Sequence, residues 1–412
     1  HKVIESGTQQ RILIAKWVDA SHGLQGDLKY VATFIVCEPQ THGLVRSVPK
    51  NVLELHRFLL NGNTRLLDEL RVSFSQLDTR NTHLLTCGMI LIAVLPKTRD
   101  GISSPESHEL RAFIIDSSVR EIGIEIGVWG DVDNKLGKLL VIDESKRGAQ
   151  LSLVMLNPIF GFSKEQAKQI SGLSQQEDPK ITAVGLGALG SQVFLNLIRT
   201  RYGEWKLIDD DYLLPHNLGR HALDSSFIGY PKSASLAWVA NQLMDGTVVA
   251  EGIVDNILNP TQPEKIQNAL GNAEVILDAS ASVAVARHLV HDVDSSARRI
   301  SLFFNPLGTD VVLIAECKER KTKLDVLEMQ YYRSLTHHPL LEKHLQRNQE
   351  RIRYAPSCRD VSNTIAQDVV ALQSAICSRA VRNTISGEGA KISIWQTNAD
   401  EITVQCHQFP IT

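Results

Sequence analysis

The sequence predicts an α/β protein in two parts, a Rossmann-like parallel-sheet domain preceded by a second α/β domain. Three observations carry that prediction. The chain has 412 residues, more than one core of ordinary size holds, so two domains are expected. Its second half alternates short apolar runs with amphipathic stretches at the spacing of strand–helix–strand crossovers, which build a parallel sheet. A polar stretch containing Gly and Pro, Ser171–Lys180, separates the halves and sets the domains at 1–172 and 173–412.

Composition narrows the class further. Hydrophobic residues make up 43% and charged ones 22%, the usage of a globular chain rather than a disordered or collagen-like one. Lys and Arg number 43 against 46 Asp and Glu, a net charge of −3, so nucleic acid is not an expected partner. The longest apolar run, Met89–Pro96, is far too short to cross a membrane. No basic stretch followed by an apolar one opens the sequence, and a cytoplasmic protein is the expectation. The cysteines, Cys37, Cys87, Cys317, Cys358, Cys377 and Cys406, form no C-x-x-C pair. That excludes a zinc knuckle and a disulfide framework, leaving reduced thiols.

Taken in order, Ile12–Ala15 and Tyr30–Val36 read as strands of a hairpin across a polar, Gly-containing turn. Val52–Leu60 reads as a helix, and Leu84–Leu95 and Arg111–Ile115 as buried strands on either side of the loop Lys97–Ser107. Lys164–Ile170 is helical. The second half then runs strand Ile181–Val184, glycine turn, helix Leu189–Arg199, strand Glu204–Ile208, helix Ser233–Leu243, strand Thr247–Ile253, helix Pro263–Leu270 and strand Glu274–Leu277. After a strand at Asp310–Ala315, the charged stretch Glu316–Arg353 reads as a mobile excursion. Ile365–Val381 is the last strong helix, and Lys391–Trp395 with Glu401–Cys406 form a closing hairpin.

The chemistry concentrates in the second half. Gly185-Leu-Gly187-Ala-Leu-Gly190 lies between a strand and a helix, where a glycine turn brings backbone N–H groups to a phosphate at a helix N-terminus. Asp209 ends the next strand, roughly 20 residues further on, where a carboxylate accepts hydrogen bonds from a ribose. The turn alone favours a dinucleotide oxidoreductase. The residues downstream of it reverse that preference: Asp209-Asp-Asp211, then Asn217, Arg220 and Lys232. Two cations and an amide aimed at one set of phosphates suit charge developing on a departing pyrophosphate.

The glycine turn, the D-x-D of Asp209 and Asp211, the N-L-x-R of Asn217–Arg220 and the G-x-x-K ending in Lys232 together resemble the ThiF/MoeB and ubiquitin-activating enzyme family. The resemblance covers the second half of the chain and implies an adenylation domain. Family members use Mg-ATP to adenylate the C-terminal carboxylate of a ubiquitin-fold protein, and many then take the acyl group onto a cysteine. It implies that Gly185, Gly187 and Gly190 cradle ATP, that Asp209 and Asp211 face it, and that Asn217, Arg220 and Lys232 hold its phosphates. A ubiquitin-like protein and a conjugating-type enzyme follow as partners, with a homodimer or a pseudo-dimer within one chain. On the two-domain plan of such enzymes the first half would be a degenerate adenylation domain; a fused conjugating domain ranks second, since no conjugating-enzyme cysteine motif is present. The layout is also similar to the activating enzymes of bacterial ubiquitination-like antiviral operons.

The sequence departs from the family in three places. Where most members have D-x-T-D-N it reads Asp278-Ala-Ser-Ala281-Ser282, so Asp278 is the metal candidate in place of the missing acid. His221 replaces the usual Gln, and the zinc cysteine pairs of many relatives are absent. Cys358, in Tyr354-Ala-Pro-Ser-Cys-Arg-Asp360, has an arginine neighbour and precedes a helix, a setting that lowers a thiol pKa. It also resembles the family's P-x-C motif, which makes it the candidate nucleophile within a crossover region at about 316–364. The rival readings are a sulfur-carrier adenylyltransferase of thiamin or molybdopterin type, a catalytically inactive scaffold subunit, and an NAD-linked oxidoreductase.

Overall fold

The computed structural model describes residues 2–5, 11–14, 30–41, 48–60, 63–99, 101, 104–133, 135–159, 162–173, 178–244, 247–346, 352–353, 361–362, 365–398 and 402–412. The chain divides into two compact units, His1–Gly161 and Phe162–Thr412. The division precedes the polar stretch because the helix before it belongs to the second unit, where Lys168 pairs with Asp178 at 2.8 Å and Ala167 is fully buried.

In the first unit the elements run β1 (Lys2–Glu5), β2 (Arg11–Ile14), β3 (Tyr30–Val36), β4 (Gln40–Thr41), α1 (Val52–Leu60), α2 (Leu66–Gln76), α3 (Thr82–Thr86), β5 (Gly88–Thr98), β6 (Ser107–Ser118), α4 (Val119–Glu125), β7 (Trp129–Val132), β8 (Lys135–Lys138) and β9 (Leu153–Ile159). The sheet order is β2-β1-β9-β6-β5-β3, with β4 also on β5. Strands β5 and β6 pair antiparallel across the loop expected between them, and β5 begins at Gly88 because Thr82–Thr86 is a short helix. The hairpin expected between 12 and 36 is corrected. β2 pairs with β1 at one end of the sheet, whereas β3 lies parallel to β5 at the other, reached through a helical crossover. Alternation decides the layering: Met89, Leu91, Ala93 and Leu95 of β5 share a core with Leu55, Leu59, Leu70 and Phe74 of α1 and α2. Among the described residues, β3 and β4 lie parallel to β5 and the other pairings of this sheet are antiparallel.

The second unit runs α5 (Lys164–Ile170), β10 (Lys180–Val184), α6 (Ala188–Arg199), β11 (Glu204–Ile208), α7 (Lys232–Leu243), β12 (Ala250–Ile253), α8 (Pro263–Gly271), β13 (Val275–Asp278), α9 (Val283–His291), β14 (Arg298–Phe304), β15 (Asp310–Ala315), α10 (Leu324–Leu335), β16 (Ile352–Arg353), β17 (Val361–Ser362), α11 (Gln367–Ser386), β18 (Lys391–Thr397) and β19 (Val404–Gln408). Its eight-stranded sheet has the order β12-β11-β10-β13-β14-β15-β18-β19, parallel from β12 to β14 and antiparallel beyond. Buried strands such as β10 and β13 are continuous apolar runs because helices cover both faces. Helix α6 places Leu189, Val193, Phe194, Leu197 and Ile198 in the core, where α11 packs on it through Cys377 and Val381.

Two parts of this unit differ from expectation. The charged stretch after residue 316 is not an excursion over its described part. Helix α10 buries Leu324, Leu327, Tyr331 and Leu335 at helical spacing. Beyond it, fully buried His344 stands 2.6 Å from the Asp310 carboxylate through Nδ1 and 2.9 Å from the Tyr331 hydroxyl through Nε2. Helix α9 and strand β14 are the second difference, because the sequence reading places no element between Leu277 and Asp310, and β14 opens with two arginines. Both are buried. Arg298 turns to one side, where its guanidinium donates to the carbonyls of Gly387 at 2.7 Å and Gly389 at 2.6 Å and to Thr384, closing the end of α11. Arg299 turns to the other side and donates to Leu289, Val293, Ser295 and Ala297 after α9. Each donates to carbonyls in the last turn of a helix and in the chain that follows it, where the helix's own N–H groups run out. Among the described residues no helix is long and apolar enough to cross a membrane.

Candidate functional site

Strand order reverses between β10 and β13: the chain proceeds outward from β10 through β11 to β12, then returns to lay β13 and β14 on the other side. The crevice beyond the carboxyl ends of strands at such a reversal is where doubly wound folds place ligands. The glycine turn leaves β10 at this point. Gly185 has a φ of +83°, and a Cβ there would stand 2.5 Å from the Ser280 backbone; at Gly190 one would stand 2.2 Å from the Gly185 carbonyl oxygen. Both positions therefore exclude any side chain. At Gly187, the residue that opens α6, a Cβ would meet nothing within 4 Å.

Asp209 ends β11 beside the turn. Its Oδ2 accepts from the Leu186 N–H at 2.5 Å and its Oδ1 from the Asp211 N–H at 2.8 Å. Burial pushes its carboxyl above the usual range, opposed by those hydrogen bonds and by the Lys232 charge. Lys232 is the first residue of α7; its side chain is 8% exposed, and Nζ lies 2.9 Å from Oδ2 of the exposed Asp211. The next residue, Ser233, donates from Oγ to the Asp209 carbonyl at 3.0 Å. The acid pair and the lysine are thus one hydrogen-bonded unit.

Asn217 lies in a 3₁₀ turn, Pro215–Gly219, and its Oδ1 accepts from the Leu214 N–H at 2.9 Å, so its amide oxygen serves the turn itself. Arg220 follows that turn and is half-buried; Nη1 reaches the Ile365 carbonyl at 3.4 Å, just ahead of α11. Asp278 ends β13 and is buried. Its Oδ1 accepts from the Ser280 N–H at 3.0 Å and hydroxyl at 2.6 Å, and burial pushes its carboxyl up. Among the described residues, the acids close enough to share a metal ion are Asp209, Asp210 and Asp211. Ala281 has a φ of +53°. Cys358 lies outside the described residues.

The sequence marks His221 only as a departure from the family, yet the fold gives it a place in the site. It is 7% exposed and clasps the glycine turn: Nε2–H donates to the Leu186 carbonyl at 2.8 Å, and Nδ1 accepts from the Leu223 N–H at 3.1 Å. Burial, and to a lesser extent the Lys232 charge, push its pKa down from 6.5 to about 4, against the bond to Leu186. The depressed folded-state value has a defined sign. The unfolded chain takes up this proton first, so stability is fully present above pH 6.5 and falls as pH drops towards about 4. The expected loss is about 3 kcal/mol. Unfolding free energies measured across that window should show this slope, and His221→Gln should remove it; equal slopes in both proteins contradict the assignment.

A parallel sheet that reverses at β10, a glycine turn on the reversal and an acid ending the neighbouring strand define the class of doubly wound α/β domains. The chain belongs to the ThiF family, whose model matches residues 166–407. Among curated proteins it is similar to the ATP-dependent ubiquitin transferase-like protein Cap2 of Enterobacter hormaechei subsp. hoffmannii, at 30% identity over 110 residues, covering 27% of this chain and 18% of that protein. It is also similar to the uncharacterized protein y4oA of Sinorhizobium fredii, at 26% identity, covering 41% of this chain and 31% of that one. The aligned stretches thus span less than a third of these relatives' lengths. Solved structures with similarity include PaaA, with a TM-score of 0.40 and 17% identity over 57% of this chain and 73% of that one. Escherichia coli MccB with ATP gives 0.36 and 17% over 56% and 63%.

Proposed function

We propose that this chain activates a ubiquitin-like protein by adenylating its C-terminal carboxylate with ATP. The observation that carries the reading is a buried lysine, Lys232, joined through Asp211 and Asp209 to the glycine turn. A dinucleotide oxidoreductase needs the turn and the acid but no ammonium fixed beside them. The family of the chain and its similarity to a ubiquitin transferase-like protein support the same reading, and a role in bacterial antiviral defence rests on the resemblance to such operons.

In this scheme a carboxylate oxygen of the partner attacks the α-phosphorus, the bond to the bridging oxygen breaks and pyrophosphate leaves. Lys232 and Arg220 offset the charge that gathers on it. Gly185 and Gly190 let the backbone approach the phosphates, Gly187 leaves the turn open to them, Asp209 accepts from the ribose, and the Asn217 amide donates. Magnesium, when bound, neutralises phosphate charge and needs only one or two protein carboxylates. Asp278, buried with one oxygen already accepting twice, fits it less well than the exposed Asp210 and Asp211. The Cys358 thiolate then attacks the acyl carbonyl, AMP leaves, and a conjugating-type enzyme takes the acyl group.

Exchange of labelled pyrophosphate into ATP, dependent on an added ubiquitin-like protein, tests the adenylation step. No exchange with any divalent metal would overturn it and favour the inactive scaffold, the reading that Ala281 supports. Cys358→Ala is expected to keep full exchange and lose the reducible adduct with the partner. An adduct that persists in the variant removes Cys358 from the scheme.

A further inference from the structure

We infer that His221 is a positioning residue that sets the direction of a phosphate-binding peptide in the glycine turn; the inference rests on the assignment of ATP to this site. Leu186 is held on both sides, since its N–H donates to Asp209 and its carbonyl accepts from His221 at 2.8 Å. The carbonyl of Leu186 and the N–H of Gly187 belong to one planar trans peptide and point in opposite directions. Fixing the first on His221 turns the second away from it, at the residue where the turn is open.

The same imidazole fixes the chain that carries the arginine. Its Nδ1 accepts from Leu223, while Ser191 Oγ accepts from the Ala222 N–H at 3.2 Å and Gln192 Nε2 donates to the Arg220 carbonyl at 3.4 Å. The first turn of α6 and the Arg220–Leu223 segment are therefore stapled together, with His221 the buried pin. Both ring nitrogens are committed, so one tautomer, protonated at Nε2, satisfies the arrangement. The residue that His221 holds, Leu186, also donates its N–H to Asp209, so the pin sits within the same charged site.

Calorimetric titration with Mg-ATP of the full chain, its His221→Ala variant and its His221→Gln variant tests this, with thermal unfolding recorded on each. His221→Ala should bind ATP at least about tenfold more weakly, the effect of one lost buried hydrogen bond on placement. Gln can donate to Leu186 and accept from Leu223, so His221→Gln should recover most of that affinity. Unchanged affinity in a folded His221→Ala variant overturns the inference, as does a folded His221→Gln no better than alanine. Nitrogen chemical shifts showing His221 protonated at Nδ1 overturn it as well. A native chain that binds no ATP would instead defeat the adenylation reading, a separate outcome.

Discussion

Replacing Lys232 by alanine is expected to cut partner-dependent pyrophosphate exchange by about 10²–10³-fold, the usual effect of removing one fixed donor from a site of charge development. The fold should scarcely notice. The Nζ partner, Asp211, has a side chain 71% exposed, so water solvates it once the lysine is gone. The two readouts therefore separate a phosphate-binding role from a structural one. Exchange retained within a few-fold, or a large drop in melting temperature, would contradict the assignment. Arginine at this position should restore little, because a planar guanidinium does not fill the space of an ammonium buried at the start of a helix.

The second large effect concerns stability alone. Arg299 is fully buried, and its guanidinium donates to four carbonyls, those of Leu289 at 3.2 Å, Val293 at 3.1 Å, Ser295 at 2.6 Å and Ala297. Burial pushes its pKa down to about 10, leaving it charged at neutral pH. Substituting alanine takes these donors from carbonyls in the interior, of which Ser295 keeps a second one, Arg320 Nη1 at 2.7 Å. The expected cost is about 3–5 kcal/mol. An apolar residue of similar volume can replace some buried ion pairs without loss, but Arg299→Met supplies no N–H to these carbonyls and should fail in the same way. Chemical denaturation would measure it, and a loss under about 1 kcal/mol would show that the carbonyls find other partners.

Much of the second unit was legible because each element carries its own signal. The strand at Glu204–Ile208 and the helix at Lys164–Ile170 fall where apolar pattern and flanking residues place them, and the closing hairpin is a local pairing. The strand pairing of the first unit was not legible. β2 and β3 both show strand patterns, yet their partners are decided by tertiary contacts far along the chain, which pattern alone does not encode. Arg298 and Arg299 hid β14 for a different reason: charge reads as exposure, and only the helix ends on either side of the sheet explain its burial. Helix α10 is masked in the sequence by the charged residues interspersed among Leu324, Leu327, Tyr331 and Leu335. At the site, the residue types that bear formal charge were readable. His221 was not, because its role lies in two hydrogen bonds to backbone atoms brought together by folding.

The close seating of Gly185 and Gly190 on the loop after β13 bears on how this chain can evolve. A Cβ at Gly185 would strike the Ser280 backbone, and one at Gly190 would stand 3.2 Å from the Ala279 methyl. The loop that carries Ala281 is therefore also the floor on which the glycine turn rests. Substitutions in that loop are accommodated only at side chains that face away from the turn. The contact at position 280 is made by backbone and leaves its side chain open to change, whereas position 279 must stay small beside Gly190.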